Sequence, residues 1–231
     1  MPLTLNELYT QTKQQYHLSM IAGEAGIDHI MNWVYVSEDS STHDFLKGGE
    51  LIITTGINCQ DEASLYDFIE TMIKSHTCGM ILNTGKYILS EDITASIKAL
   101  CDKHNYPLID MPWKVHIYEI TRDYYNQIFM DTQKDTSITD AFLSFIEEDT
   151  LHHYDALRIL EDNHFEKEDC YEITLMKCNK KVISDDLKLR LLFLMENYIK
   201  LNDLDIHIAF YKNHFLFVFH KNPPLVSYVI V

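Results

Sequence analysis

Glycine is missing from most of this chain: all seven glycines of its 231 residues lie between Gly23 and Gly85, and none follows. Glycine serves tight turns and close backbone approach, so special backbone geometry belongs to the first region, and two architectures are expected. Basic charge is scarce as well, with 19 Lys and Arg against 35 Asp and Glu and a formal net charge of -16. Up to Tyr125 there are 8 basic and 17 acidic residues, and after it 11 and 18, so the two parts carry -9 and -7. Neither has the basic patch that holds nucleic acid or an anionic membrane. Long apolar runs are absent too, and "MPLTLNELYTQTK" lacks the basic and apolar regions of a signal peptide, so a cytoplasmic location with no membrane association is expected.

The five cysteines, at 59, 78, 101, 170 and 178, are odd in number and never form CxxC. They are expected to be buried thiols in a reducing compartment, with no disulfide framework. GxGxxG, GxxxxGK[ST] and HExxH do not occur. "KGGE" at 47–50 is a lone glycine pair before an apolar run, which signals a turn and says nothing by itself about phosphate. His152-His153 lacks the spacing of a metal site and is expected to be a solvated pair, as is the acidic run Glu147, Glu148 and Asp149. No metal, cofactor or catalytic pair is expected.

Hydrophobic residues make up 46% of the chain, enough for a substantial core. "WVYV" (33–36), "ELIITT" (50–55), "GMILN" (79–83) and "PLIDM" (107–111) are continuous apolar runs, the pattern of strands covered on both faces. Helical spacing over 62–76 and 91–103 separates the later runs, so right-handed crossovers in a mainly parallel sheet are predicted. A long amphipathic helix should run from His116 to about Gln133, followed by a second helix carrying Ile138, Ala141, Phe142, Phe145 and Ile146. A short helix is predicted across Tyr154 to Leu160. Beyond it, a strand at 170–178, a helix at 185–201 with Leu187, Leu191, Met195 and Tyr198 in line, and two strands joined at Lys212-Asn213 give a βαββ unit. One face of its sheet should be poorly covered, because one helix cannot cover both.

Open parallel sheets bind ligands beyond the carboxyl ends of their strands. The residues there are Ser37 and Glu38, then Thr54, Thr55 and Gly56, then Gly85, Lys86 and Tyr87, and finally Asp110 and Trp113. Backbone amides near Gly56 and Gly85, with Lys86, could hold an anionic or polar group while Tyr87 or Trp113 stacks on a ring. Each residue type also has a plain structural use, in helix caps and turns.

"WVYVSE", "FLKGGELIITTG", "CGMILNTGKY" and "YPLIDMPW", in that order, resemble the N-terminal domain of PucR-type (purine catabolism regulator) bacterial transcription factors over roughly residues 3 to 125. The resemblance implies a sensor domain at 1–125, a helical connector at 126–165 and part of a degenerate GGDEF-like domain at 166–231. Its implied role is metabolite sensing and dimerisation, with a small-molecule effector, which the family name links to purines, and a homodimer as partners. Where an active diguanylate cyclase carries its GG(D/E)EF turn, this chain has "YKNHFLF", without the glycine pair or acidic dyad. Cyclase activity is not expected. No stretch near the C-terminus has a helix-turn-helix pattern, so no direct DNA contact is expected from this chain, whether it is a fragment or a naturally short protein. The competing readings are an interaction scaffold that binds nothing small and, behind it, an enzyme.

Overall fold

A computed structural model describes residues 3–146, 153–167, 169–177 and 185–221. The chain divides into two compact units, Pro2–Met130 and Asp131–Val231, with the boundary inside a helix. The fold is α/β.

The first unit opens with α1, Leu5–Thr12, whose N-terminus is closed by a reciprocal capping box between Thr4 and Glu7. Strand β1 follows at Ser19–Ala22. The four predicted strands are all present: β2 at Trp33–Val36, β3 at Glu50–Thr54, β4 at Gly79–Thr84 and β5 at Leu108–Pro112. They pair in parallel in chain order, and β1 adds to the far side of β5 antiparallel, giving the sheet order β1-β5-β4-β3-β2.

The continuous apolar runs reflect burial on both sheet faces. Leu51, Ile53, Ile81, Ile109 and Met111 point to one face, where α1 packs through Leu5 and Leu8 and a long helix through Ile120 and Tyr124. Ile52, Met80, Leu82 and Leu108 point to the other, under α2 (Glu62–Lys74) and α3 (Ala95–Lys103). Side chains alternate along a strand, so one run supplies both cores. Helix α3 begins four residues later than its spacing predicts, because 90–92 form a separate 3-10 turn and Thr94 caps the helix through Ile97 N–H.

The glycine pair makes the turn into β3, with φ of 100° at Gly48 and 79° at Gly49. The amides of Lys47 and Gly48 donate to the buried Glu50 carboxylate, at 2.6 and 3.0 Å. This turn carries its own anion.

Helix α4 runs unbroken over Ile117–Ile146, where the spacing predicts two helices. The segment between them has no glycine or proline, and its hydroxyls bond the carbonyls one turn back rather than capping a new helix: Thr136 to Thr132 and Ser137 to Gln133, both at 2.9 Å.

In the second unit, α5 (His153–Glu161) precedes a three-stranded antiparallel sheet of order β6-β8-β7, with β6 at Cys170–Lys177, α6 at Asp185–Leu201, β7 at Ile206–Tyr211 and β8 at His214–Lys221. Lys212 and Asn213 both have positive φ, as a tight type I′ hairpin turn needs. Both sheet faces are covered, contrary to the expectation of one poorly covered face. The end of α4 and α5 pack Ile138, Ala141, Phe142, Ala156 and Leu160 against Leu216 and Val218, while α6 covers Ile208, Phe215 and Phe217. Exposure is concentrated instead on β6, at Ile173, Leu175 and Met176. On α6, Leu187, Leu191 and Met195 pack against the sheet as predicted, but Ile199 takes the next place in that line and Tyr198 is exposed.

Cys78 and Cys101 are buried, Cys59 is half-buried and Cys170 is exposed on β6, so burial of the cysteines is not uniform. Cys178, His152, the Glu147–Asp149 run and the segment after Lys221 lie outside the described residues. Among the described residues no helix is long and apolar enough to cross a membrane, and no group of metal-ligating side chains comes together.

Candidate functional site

The carboxyl ends of β2 to β5 form a continuous rim with two chemically different parts. At the β2 and β3 end, the Glu38 carboxylate accepts the Thr54 hydroxyl at 2.9 Å, the Thr55 hydroxyl at 2.9 Å and the Thr55 backbone N–H at 3.1 Å. Ser37 takes no part in this group. It is buried, with its hydroxyl shared between Thr42 and the Asp39 carbonyl. The nearby Cys59 thiol is pushed up to about 11 by burial and by the negative charges of Glu38, Asp39 and Asp61, so it stays protonated and is a poor nucleophile.

At the β4 and β5 end, the Lys86 ammonium lies 4.9 Å from the Tyr87 ring centroid and 4.8 Å from that of Trp113. The two rings meet edge to face at 5.6 Å. Tyr87 and Trp113 are 40% and 39% exposed, so the cation and both rings remain open to solvent on one side. In the same strands, the Thr84 hydroxyl donates to the Asp110 carboxylate, and the Trp113 amide donates to the Thr84 carbonyl at 2.7 Å.

The two glycines have a structural use. At Gly56, with φ 69°, the Ile88 side chain sits where a Cβ would be, 2.0 Å from its ideal position, and the Gly56 amide donates to Thr54 Oγ1. Gly85, with φ 111°, donates its amide to the Ile88 carbonyl at 2.8 Å. Both amides are occupied within the chain. Of the ten residues the sequence points to, the structure joins Glu38 with Thr54 and Thr55, and Lys86 with Tyr87 and Trp113, while Asp110 pairs with Thr84, a residue outside the ten.

A cleft of about 430 Å³ lies at the same end of the sheet, on the α4 face. Gln15, Tyr16 and His17 line it from the loop after α1, Lys114 and Val115 from the end of β5, and Tyr118, Glu119 and Arg122 from the first turns of α4. Sequence patterns miss it, because one of its walls, Gln15 to His17, is the loop between α1 and β1, two elements that periodicity does not reveal. The Thr4-x-x-Glu7 capping box was the signal that could have located the first. Tyr16 is buried, and its hydroxyl donates to Asp123. Burial and that carboxylate raise its pKa, so it remains a phenol. Arg122 is held by Asp123 at 3.1 Å and lies 5.7 Å from the Tyr118 ring.

The model of the purine catabolism regulatory protein-like family matches residues 7–128, more than half of the chain. The chain belongs to this family. A curated relative, the purine catabolism regulatory protein of Bacillus subtilis (strain 168), is 30% identical over 103 residues, which are 44% of this chain and 19% of that protein. The chain is therefore similar to a minor share of that relative's length. The rim and the cleft both lie within the residues that the purine catabolism regulatory protein-like model covers. What the two share is part of a regulator.

Proposed function

We propose that the first unit is the effector-sensing domain of a PucR-like transcriptional regulator and that its rim contributes to ligand recognition. The observation that carries this reading is the Lys86 ammonium held 4.9 and 4.8 Å from the centroids of two half-open aromatic rings at the carboxyl ends of β4 and β5. A cation flanked by rings suits a flat ligand bearing negative charge, and the Glu38 end adds a hydrogen-bonding carboxylate. The ligand class is a small polar metabolite, in keeping with the name of the Bacillus subtilis relative. The role is regulatory, in keeping with the family to which the chain belongs. The second unit would be part of a degenerate GGDEF-like domain, and the net charge of -16 argues that DNA contact is made elsewhere in a regulator.

Dimerisation is a second part of the proposal. Trp33 on the edge strand β2 stacks on Tyr125 of α4 at 4.9 Å, and Trp33, Tyr118 and Phe129 are 51%, 70% and 60% exposed. Large exposed aromatics spaced along one helix suit a second copy of the chain. An interaction scaffold without a ligand would use the same surface.

Thermal-shift measurements with purine-pathway metabolites test sensing, using Lys86→Gln and Trp113→Ala beside the unaltered chain. Stabilisation by a metabolite that both substitutions abolish is the expected result. A chain that no metabolite stabilises, whose mass by light scattering doubles with concentration, would favour the scaffold.

A further inference from the structure

The strand order carries information about where a ligand fits. From β2 to β5 each parallel strand lies beside its predecessor, so the winding never reverses within that run. Crevices at the carboxyl edge of an α/β sheet open where the winding reverses, with connections leaving to opposite faces. Here the break in order falls between β5 and β1, where Ser19 pairs with Asp110. Because β1 is antiparallel, the residues before it and the residues after β5 meet at the same edge. Those residues are Gln15 to His17 and Lys114 to Val115, which line the cleft.

Its chemistry is mixed rather than simply basic. Arg122 is already neutralised by Asp123, through Nε at 3.2 Å and Nη2 at 3.1 Å. Lys114, His17 and Glu119 differ: among the described residues their side chains make no hydrogen bond or ion pair. The unspent groups are thus an ammonium, an imidazole and a carboxylate around a cleft of about 430 Å³, with the Tyr118 ring as an exposed flat wall. That volume is at the small end for ligand sites.

We infer that this cleft is a binding site for a small carboxylate that also carries N–H donors, such as an amino acid. Lys114 takes the ligand carboxylate, Glu119 accepts from its N–H groups, and Tyr118 packs against its body. Neither a plain dicarboxylate nor a plain amine satisfies both charged groups, and leaving one of them desolvated and unpaired weakens binding. Lys114 follows β5, while Tyr118 and Glu119 belong to the first turns of α4, so a bound zwitterion ties the sheet edge to that helix. The inference deepens the sensing reading and rests on it for its regulatory meaning, but not for the binding itself.

The test is a titration of the whole chain with glutamine, followed by amide NMR, with glutarate as the counterpart lacking N–H donors. Glutamine is expected to shift the amides of Gln15, His17 and Tyr118, and glutarate to bind about ten-fold more weakly. Lys114→Gln and Glu119→Gln should each weaken glutamine binding about ten-fold, and Lys98→Gln, on the exposed face of α3, should leave it unchanged. Absence of shifts at the cleft, or glutamine affinity insensitive to Lys114→Gln and Glu119→Gln, would overturn the site. If shifts fall at Lys86 and Trp113 and Lys86→Gln abolishes them, the sensing reading survives and this inference fails. If the cleft binds glutamine while no metabolite alters transcription by a regulator carrying this domain, the inference stands and the sensing reading fails.

Discussion

Glu38 and Thr55 are bound at two points: the carboxylate at the end of β2 accepts both the hydroxyl of Thr55, at 2.9 Å, and its backbone N–H, at 3.1 Å. The Thr54 hydroxyl on the same carboxylate belongs to a residue with no exposed surface. Glu38→Ala would leave buried donors without an acceptor, and a loss of about 2–3 kcal/mol is expected. Glu38→Gln keeps one carbonyl oxygen and should cost about 1 kcal/mol. Urea unfolding checks both values, and equal midpoints for Glu38→Ala and the unaltered chain would count against this account.

Gly56→Ala is expected to be among the more damaging single changes at the rim. The new methyl would enter the volume of the Ile88 side chain, and φ 69° is unfavourable to any residue with a Cβ. Left-handed strain of about 1–2 kcal/mol and overpacking of about 1–3 kcal/mol act together. Ile88→Ala removes the clash but opens a cavity of its own, so Gly56→Ala with Ile88→Ala is expected to cost less in thermal unfolding than the sum of the two separate losses.

His220 lies between Asp205, 2.5 Å from Nδ1, and Asp169, 2.7 Å from Nε2, and the Asp205 hydrogen bond is the largest cause of its raised pKa. A raised pKa means that the folded state binds the proton more tightly than the unfolded state. The stabilisation is therefore fully present below the ordinary value of 6.5 and is lost as pH rises through the raised folded value. His220→Asn should flatten this part of the stability profile. A titration of the ring carbons by NMR with its midpoint at or below 6.5 would contradict the assignment.

His207 should behave in the opposite sense within the same unit. Burial lowers its pKa to about 4, partly offset by the charge of Asp135, and its Nε2 pairs with the Thr139 hydroxyl at 2.9 Å. The neutral ring is the folded form, so stability is present above 6.5 and is lost as pH falls from there towards about 4. Two histidine resonances moving in separate pH ranges, one above and one well below 6.5, are the expected observation.

Much of the fold was legible because burial leaves a mark on composition. "ELIIT" and "GMILNT" are continuous apolar runs because both faces of β3 and β4 are covered, and the structure places them in the middle of the sheet. Strand β1 was not legible: "SMIA" is four residues long, is paired on one side by β5 with a register shift, and is mostly partly exposed. Helix α4 reads as two because Thr132, Asp135, Thr136 and Ser137 are weak helix formers on intrinsic preference, which hydroxyl bonds to preceding carbonyls and the packing at either end override. At the rim, residue types predicted which side chains lie at the strand ends. They could not predict that Ile88 would fill the space beside Gly56, because that contact joins two loops. The cleft was hidden for a related reason: it depends on β1 being antiparallel, a property of pairing and not of composition.

The order in which the sheet is wound also bears on how it folds. Neighbouring parallel strands from β2 to β5 are consecutive in the chain, so each pairing closes one short βα connection, and the entropy of closure grows only slowly with length. The β1–β5 pairing alone joins the start of the unit to its last strand. Assembly is expected to spread from β3 and β4 outwards, with β1 docking after the transition state; folding kinetics of Met20→Ala would show this as a change in unfolding rate with little change in folding rate. On that account, the edge on which the cleft depends is also the last part of the domain to become native.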